Sequence, residues 1–588
     1  MKVVSIMNGH NATVGLFEDG RAVRIVHEEK FNNIKNYVGF PHSALDFVLQ
    51  MEDPANIDYF VFTSKEQIFV GVPTERKNPV EALSQDSFFR NVYSRLEYKI
   101  PLKKAYAGIR DYAITRLVSP KAKGEIEAYL YKRYKIPRKK IRYVDHHTNH
   151  YLSPFFFYNL SAKEKDFLLF TLDGAGDNLC SRVVHYRYNE DMFEEVSQSY
   201  YDTSIGLLYS EATKFLGMKP NEHEYKVMGL AAYVSNEKYY KPVYDKLKKI
   251  IWLDKGALSF RSAFNMNVAF EYLKENFVGE RFDNIAAALQ RVTEELVTEW
   301  VRETILRTGA HSIACSGGVF MNVKMNQKIM ELPEVEEVYF QPTSSDESLV
   351  LGAAAAIFRE SNVPLKSVRT MFLGLNYTNK DVETFLRLNG YDRKYKVTYF
   401  KDIENKTAGL VSKFNIVARF KGFGEWGARS LCDRCILGNA RDLKTFYEVN
   451  DMIKMRDFWM PFAPVILDSW CPKYIENWDV VKRKAFDSTK YMILTFESTQ
   501  LAQEHLRAAI HQKDKTLRPQ IVEEKDNPSF YRFLKYYEER TGMGGLLNTS
   551  LNMHGYPLVG SLEQAMFTFE NSGLKYMSLE NYLLEKKS

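Results

Sequence analysis

Twice in this chain a short apolar stretch runs without a break into a glycine-containing loop. Phe167 to Leu172 opens into TLDGAGDN, and Ser312 to Cys315 opens into CSGGVFMN. A short apolar run bounded by glycine reads as a buried β-strand. Glycine at its exit removes the Cβ that would keep backbone N–H groups away from a phosphate or a ribose. Gly174, Gly176 and Asn178 in the first loop, with Gly317, Gly318 and Asn322 in the second, are therefore candidate nucleotide contacts. Between the two loops, Asp283 to Arg307 has the apolar periodicity of an amphipathic helix, so strands and helices alternate and the fold class is α/β.

The amino terminus predicts three strands, Lys2 to Met7, Ala12 to Phe17 and Ala22 to Val26, the last two joined at Asp19-Gly20. Residues from about 42 to 140 read as mostly helical. At 588 residues the chain is too long for one core, since single cores stop growing at roughly 250–300 residues. Its character changes between 375 and 400, through GLNYTNKD and the charged stretch Arg393 to Lys401, before a new apolar strand from Ile416 to Phe420. This predicts one domain over 1–380 and a second over 395–588. No internal repeat is evident.

No apolar run is long enough to span a membrane, and polar Asn8, His10 and Asn11 interrupt the position of a secretory signal. Five scattered cysteines suit a reducing compartment, so the expected location is cytoplasmic. Cys432 and Cys435 form one CxxC without a matching second pair, and they read as buried small residues rather than zinc ligands. Charge is regional: Arg95 to Arg142 holds fifteen basic residues against four acidic ones, while the whole chain is only +6. That stretch is either a solvated helical face or a surface for a polyanion such as nucleic acid.

VDHHTNHY places His146 and His150 four residues apart, on one face if the segment is helical. Pro154 predicts that this helix ends or kinks there. Asp173 follows a strand directly, and Asp346 stands in TSSDES before the apolar LVLGAAAA run. Two histidines and two aspartates would form a nitrogen and oxygen site for a divalent metal. In the second half, Arg429, Arg434, Lys454 and Arg456 are fixed cations near glycine turns, suited to a doubly charged phosphate. Asn548, Thr549, Ser550 and Asn552 form a polar cluster suited to a small ligand.

GHNATVG, EEKFNNIKNYVGFP, VDHHTNH, LDGAGDN, SIGLLYSEATKFLG, EYKVMGLAAY, CSGGVFMN, the SSDES acid, MPFAPVIL and NTSLNMHGYP follow one another in this order. Over nearly its whole length the chain thereby resembles the NodU/CmcH-type O-carbamoyltransferases. The resemblance implies an actin-like (ribonuclease H-like, ASKHA) amino-terminal domain with a basic helical insertion near 42–142, and a YrdC-like α/β carboxy-terminal domain. It implies ATP and a divalent metal, typically Fe2+, with Zn2+, Mn2+ and Mg2+ as alternatives. Carbamoyl phosphate would be the donor, carbamoyl-adenylate the activated form and a hydroxyl the acceptor. By matching positions, His146, His150, Asp173 and Asp346 resemble the metal ligands, and His10 the histidine nearest the transferred group. Lys454, Arg456 and Arg518, the last in TLRPQ, are the expected carbamoyl phosphate contacts. GARSLCDRCIL departs from the family's usual GPRALGxRSIL by losing a proline and placing Cys432 at a usual glycine position. A hydroxymethyl pyrimidine in DNA and a sugar or other small alcohol are both open as acceptor. A fused tRNA threonylcarbamoyl-adenosine synthase and a non-catalytic nucleotide sensor are the alternative functions, and the oligomeric state stays open.

Overall fold

The computed structural model of the chain describes residues 1–66, 97–98 and 119–587. Two compact units form: Met1–Glu28 with Asn36–Arg369, and Glu29–Lys35 with Thr370–Ser588. The division thus falls at Arg369/Thr370, and a short amino-terminal segment belongs to the second unit. Among the described residues no helix is long and apolar enough to cross a membrane.

The first unit repeats one sheet pattern. Strands β1 (Lys2–Met7), β2 (Thr13–Glu18), β3 (Arg21–His27), β4 (Tyr59–Phe62) and β5 (Ile141–Tyr143) lie in the order β3-β2-β1-β4-β5. The β1–β2 and β2–β3 pairs are antiparallel, whereas β1–β4 and β4–β5 are parallel. Strands β6 (Phe167–Gly176), β7 (Leu179–Arg187), β8 (Met192–Tyr200), β9 (Ser312–Ser316) and β10 (Glu337–Phe340) repeat the order and the directions as β8-β7-β6-β9-β10. Two successive sheets of this ribonuclease H-like pattern make the actin-like fold. Val3–Met7 in β1 and Phe167–Leu172 in β6 are buried at every residue, as central strands covered on both faces must be.

Helix α1 (His42–Met51), helix α2 (Ser119–Tyr134) and strands β4 and β5 all fall in the stretch expected to be a helical insertion. Tyr59–Phe62 is instead a sheet strand, too short for periodicity to separate from a helical turn. Arg95, Lys99, Lys103, Lys104, Arg110 and Arg116 lie outside the described residues.

Helix α3 (His146–Phe157) starts on Asp145, whose side chain accepts from Thr148 N–H. It runs through Pro154 to Phe157 instead of ending there. The proline sits in the last turn of a helix buried on nearly all sides, so tertiary packing outweighs the lost hydrogen bond. Helix α4 (Ile205–Phe215), helix α5 (Phe282–Thr308) and helix α6 (Val323–Glu331) cover the second sheet region, and α5 buries Trp300 completely. Helix α7 (Leu349–Glu360) packs against α3 so closely that a Cβ on Gly352 would lie 1.9 Å from the Asn149 carbonyl oxygen. Ser153 Oγ, which donates to Ser348 O at 2.7 Å, ties the same two segments together.

The second unit is α/β. Its strands β11 (Lys396–Tyr399), β12 (Val417–Phe420), β13 (Arg434–Gly438), β14 (Ala463–Leu467), β15 (Gln520–Val522), β16 (Gly545–Ser550), β17 (Tyr576–Leu579) and β18 (Tyr582–Glu585) form one eight-stranded sheet. The order is β11-β18-β17-β12-β13-β16-β14-β15. Helices α8 (Ile403–Ser412) and α9 (Pro528–Thr541) pack on each other beside it.

Because Gly352 has no room for a side chain, Gly352→Ala is expected to destabilise the first unit by about 1–3 kcal/mol. Gly124→Ala, on an exposed position of α2 with open space around it, is the control and should leave the thermal unfolding midpoint unchanged or slightly raised. Equal midpoints for Gly352→Ala and the native chain would show that α3 and α7 can move apart without cost.

Candidate functional site

Helix α3 carries His146 and His150 on one face, β6 carries Asp173 in its last residues before Gly176, and Asp346 opens the turn that leads into α7. One ligand atom from each of the four lies within 4.8 Å of every other. The two Nε2 atoms stand 3.1 Å apart. Asp173 Oδ2 is 3.3 Å from His146 Nε2 and 3.9 Å from His150 Nε2, and Asp346 Oδ1 is 3.9 Å and 3.8 Å from the same atoms. His150 Nδ1 bonds to Ser316 Oγ at 3.2 Å, which turns its Nε2 inward. Asp173 is oriented likewise: its Oδ1 accepts from Gly318 N–H at 2.8 Å, leaving Oδ2 for the histidines.

The electrostatics fit a cation. Burial opposes charge on His146, but the Asp173 hydrogen bond and the Asp346 carboxylate outweigh it and raise its pKa to about 9. Burial lowers the pKa of His150. Burial, reinforced by the Asp173 charge, pushes Asp346 up to about 8. Asp173 is held well below the ordinary carboxylate range, against burial, by hydrogen bonds from both histidines. The donor set of two imidazoles and two carboxylates, without thiolate, suits a divalent ion.

A residue that sequence reasoning passed over organises this centre. Asp177 is buried, and its carboxylate accepts from Ser64 Oγ at 2.6 Å, Lys65 N–H at 2.8 Å, Glu66 N–H at 2.9 Å and His146 N–H at 2.9 Å. Its only sequence signal was a second acid in DGAGD. The expected glycine contacts divide by surroundings. Gly174 has open space beside it, whereas a Cβ on Gly176 would strike the His146 ring at 2.2 Å. Gly317 turns at φ +111°, where a Cβ would meet Leu172 O at 2.3 Å. Asn178 also has positive φ, and its carbonyl accepts from Tyr201 N–H. Asn322 caps α6 through Met325 N–H and bonds to Gln290. His10 lies half-buried in a two-residue bridge with Val38–Gly39. Its neighbour Asn11 donates to Glu347 Oε2 at 2.9 Å, next to Asp346 in sequence.

In the second unit Lys454 is buried, with Nζ donating to Ser550 O at 2.5 Å, Ser550 Oγ at 3.2 Å, Asn552 O at 3.0 Å and Asn552 Oδ1 at 2.7 Å. All four acceptors are neutral. Burial, with the nearby Arg456 and Lys35 charges, lowers its pKa well below the ordinary lysine value. Arg456 Nη2 donates to Thr549 Oγ1 at 3.2 Å. Asn548, on β16, donates to Ser430 O at 3.1 Å and to Gln520 Oε1 at 3.5 Å, and Arg518 precedes Gln520 by two residues. Arg434, expected among the phosphate contacts, has its guanidinium fully buried over the Phe420 ring, where its Nη groups donate to the carbonyls of Lys421, Asp433, Leu375 and Gly422 while its Nε is buried without a hydrogen-bond partner.

The described cations of the basic stretch are mostly exposed, and five of them also have partners within the chain. Arg133 pairs with Asp46, Arg138 with Glu127, and Lys123 donates to Lys65 O. Lys140 donates to the carbonyls of Ala55 and Ile57, and Arg142 to that of Lys139. Cys432 and Cys435 are buried thiols, Cys432 donating to Gln520 Oε1 at 3.0 Å.

Two family models match the chain: Carbamoyltransferase N-terminus over residues 2–355 and Carbamoyltransferase C-terminus over residues 408–586. The uncharacterized protein MJ1058 of Methanocaldococcus jannaschii is 30% identical, over 97% of this chain and 93% of its own length. Nodulation protein NolNO of Sinorhizobium fredii is 25% identical over 98% of this chain and 79% of its own. The 3'-hydroxymethylcephem-O-carbamoyltransferase of Amycolatopsis lactamdurans is 24% identical over 49% of this chain and 52% of its own. The chain belongs to the carbamoyltransferase family and is an enzyme of carbamoyl transfer.

Proposed function

We propose that the chain carries a carbamoyl group from carbamoyl phosphate to the hydroxyl of a small molecule, with ATP as the activating substrate. Water opens carbamoyl phosphate to carbamate and phosphate at the second unit. A carbamate oxygen then attacks the α-phosphorus of ATP in the first unit, giving carbamoyl-adenylate and pyrophosphate. The acceptor oxygen attacks the carbamoyl carbon, its proton passes to a base and AMP leaves. The observation that carries this reading is the convergence of His146, His150, Asp173 and Asp346 beside the Gly317-Gly318 turn.

Those four side chains would hold a divalent metal, which supplies Lewis-acid charge to phosphate and carbonyl oxygens when bound. Iron is the metal the resemblance favours. His10, in the segment tied through Asn11 to Glu347, would accept the acceptor's hydroxyl proton, work that an imidazole does well near neutral pH. Gly174 has room for an approaching nucleotide. In the second unit, read as YrdC-like, Lys454, Arg456, Arg518 and Arg429 would bind carbamoyl phosphate. A buried ammonium among neutral oxygens is stabilised by an arriving dianion, so anion affinity should fall as pH rises through the titration of Lys454.

A small acceptor is preferred to DNA because the name of the Amycolatopsis relative points to a hydroxymethyl group on a small scaffold. Mass spectrometry of a panel of small alcohols and hydroxymethylated DNA, after incubation with carbamoyl phosphate and ATP, is the test. Carbamoylation of a small alcohol is expected, modification of DNA alone would overturn the acceptor, and intact carbamoyl phosphate would overturn the reaction.

His146→Ala should abolish pyrophosphate release and transfer in a folded protein, because three ligands hold the ion too weakly. Full turnover of that variant would remove His146 from the centre. Lys454→Ala should raise KM for carbamoyl phosphate by about ten- to a hundredfold, the loss of one charge-assisted contact. An unchanged KM in a phosphate-release assay would place the donor elsewhere.

A further inference from the structure

The loop from Glu425 to Arg434 is closed by a carboxylate that none of the chemistry above uses. Glu425 is 3% exposed. Its Oε1 accepts from three backbone N–H groups of the same loop: Leu431 at 2.7 Å, Asp433 at 3.0 Å and Arg434 at 3.2 Å. Converging N–H groups of this kind form a nest, a backbone concavity that binds anions. Here the anion is part of the chain.

The rest of the loop is fixed from several sides. Ser430 Oγ donates to Arg434 O at 2.9 Å, and Ser430 O accepts from Asn548. Trp426 is buried, with its backbone N–H bonded to Met371 O. Cys432, inside the nest, holds φ at +83°, a backbone region that L-residues rarely enter. Such a conformation persists only where the surroundings over-determine it: the Glu425 carboxylate holds the N–H groups on either side, and Arg419 Nε donates to Cys432 O at 3.0 Å. Between the two anchored limbs, half-buried, lies Arg429. Its neighbour Ser430 meets Asn548 on β16, whose next residue Thr549 meets Arg456.

We propose that Glu425 is a positioning residue whose carboxylate fills the nest of residues 431–434 and thereby fixes the loop that presents Arg429 to the phosphate of the donor. The inference rests on the reading of the second unit as the carbamoyl phosphate site. It also explains how the loop keeps its shape without the proline that GARSLCDRCIL lacks.

The experiment compares native enzyme with Glu425→Ala, Glu425→Gln, Arg429→Ala and the Glu425→Ala/Arg429→Ala double variant. Phosphate release from carbamoyl phosphate gives KM and kcat, and hydrogen exchange follows the amides of 431–434. Glu425→Ala should raise KM about tenfold with a smaller change in kcat, and exchange should quicken at Leu431, Asp433 and Arg434. Glu425→Gln keeps the volume and one acceptor oxygen, so it should restore part of both, and it carries the test if the alanine variant fails to fold. The double variant should have the KM of Arg429→Ala alone, because Glu425 acts through that arginine. Effects on KM that multiply independently, or faster exchange with native KM in Glu425→Ala, would overturn the proposal. If native enzyme leaves carbamoyl phosphate intact, the proposed function fails, and binding of inorganic phosphate then decides Glu425 separately. Native phosphate affinity in Glu425→Ala overturns its role, and a loss that Arg429→Ala does not deepen supports it.

Discussion

The candidate metal centre depends on how closely α3 approaches α7. Gly352 lets the Asn149 carbonyl come to within a distance that no side chain would permit, and Ser153 bonds across to Ser348 just before α7 begins. His146 and His150 ride on the first of these helices, and Asp346 opens the turn leading into the second. Asp173 arrives from the sheet and is aimed by Gly318, while Asp177 fastens the first turn of α3 to the Ser64–Glu66 segment.

Each unit buries ionisable groups in surroundings that disfavour their charged forms. In the first, burial and the neighbouring Asp173 charge raise the Asp346 carboxyl well above an ordinary aspartate. The second buries Lys454 among neutral oxygens. Buried charge without a partner is costly, and its retention is explained when a ligand of opposite sign completes it. The proposed reaction would use both: a cation to steady developing negative charge and a cationic pocket for a phosphate donor. The buried Arg434 shows the contrasting case, a cation whose two Nη groups donate to four backbone carbonyls.

Much of this was legible in the sequence. The opening hairpins, the strands at Phe167 and Ser312 and the long helix near 283 follow from apolar runs and glycine punctuation, and the structure has them within a residue or two, except that the strand from Phe167 runs four residues further, to Gly176. The four-residue spacing of His146 and His150 predicted their shared face. What periodicity missed was short or non-local. The repeated sheet order is a topological likeness without a sequence repeat, and YFVF at 59–62 is too brief to declare itself a strand. Helix α3 crosses Pro154 because burial, rather than local propensity, holds it. Asp177, Arg434 and Glu425 could not be sorted by residue type, since their roles depend on which backbone groups the fold brings to them.

X-ray absorption at the metal edge of the iron-loaded chain tests the central claim most directly. The account predicts a first shell of nitrogen and oxygen with the multiple scattering of two imidazoles, and loss of the bound iron in His150→Ala as in His146→Ala. A shell containing sulfur, or a native spectrum with no imidazole scattering, would contradict it.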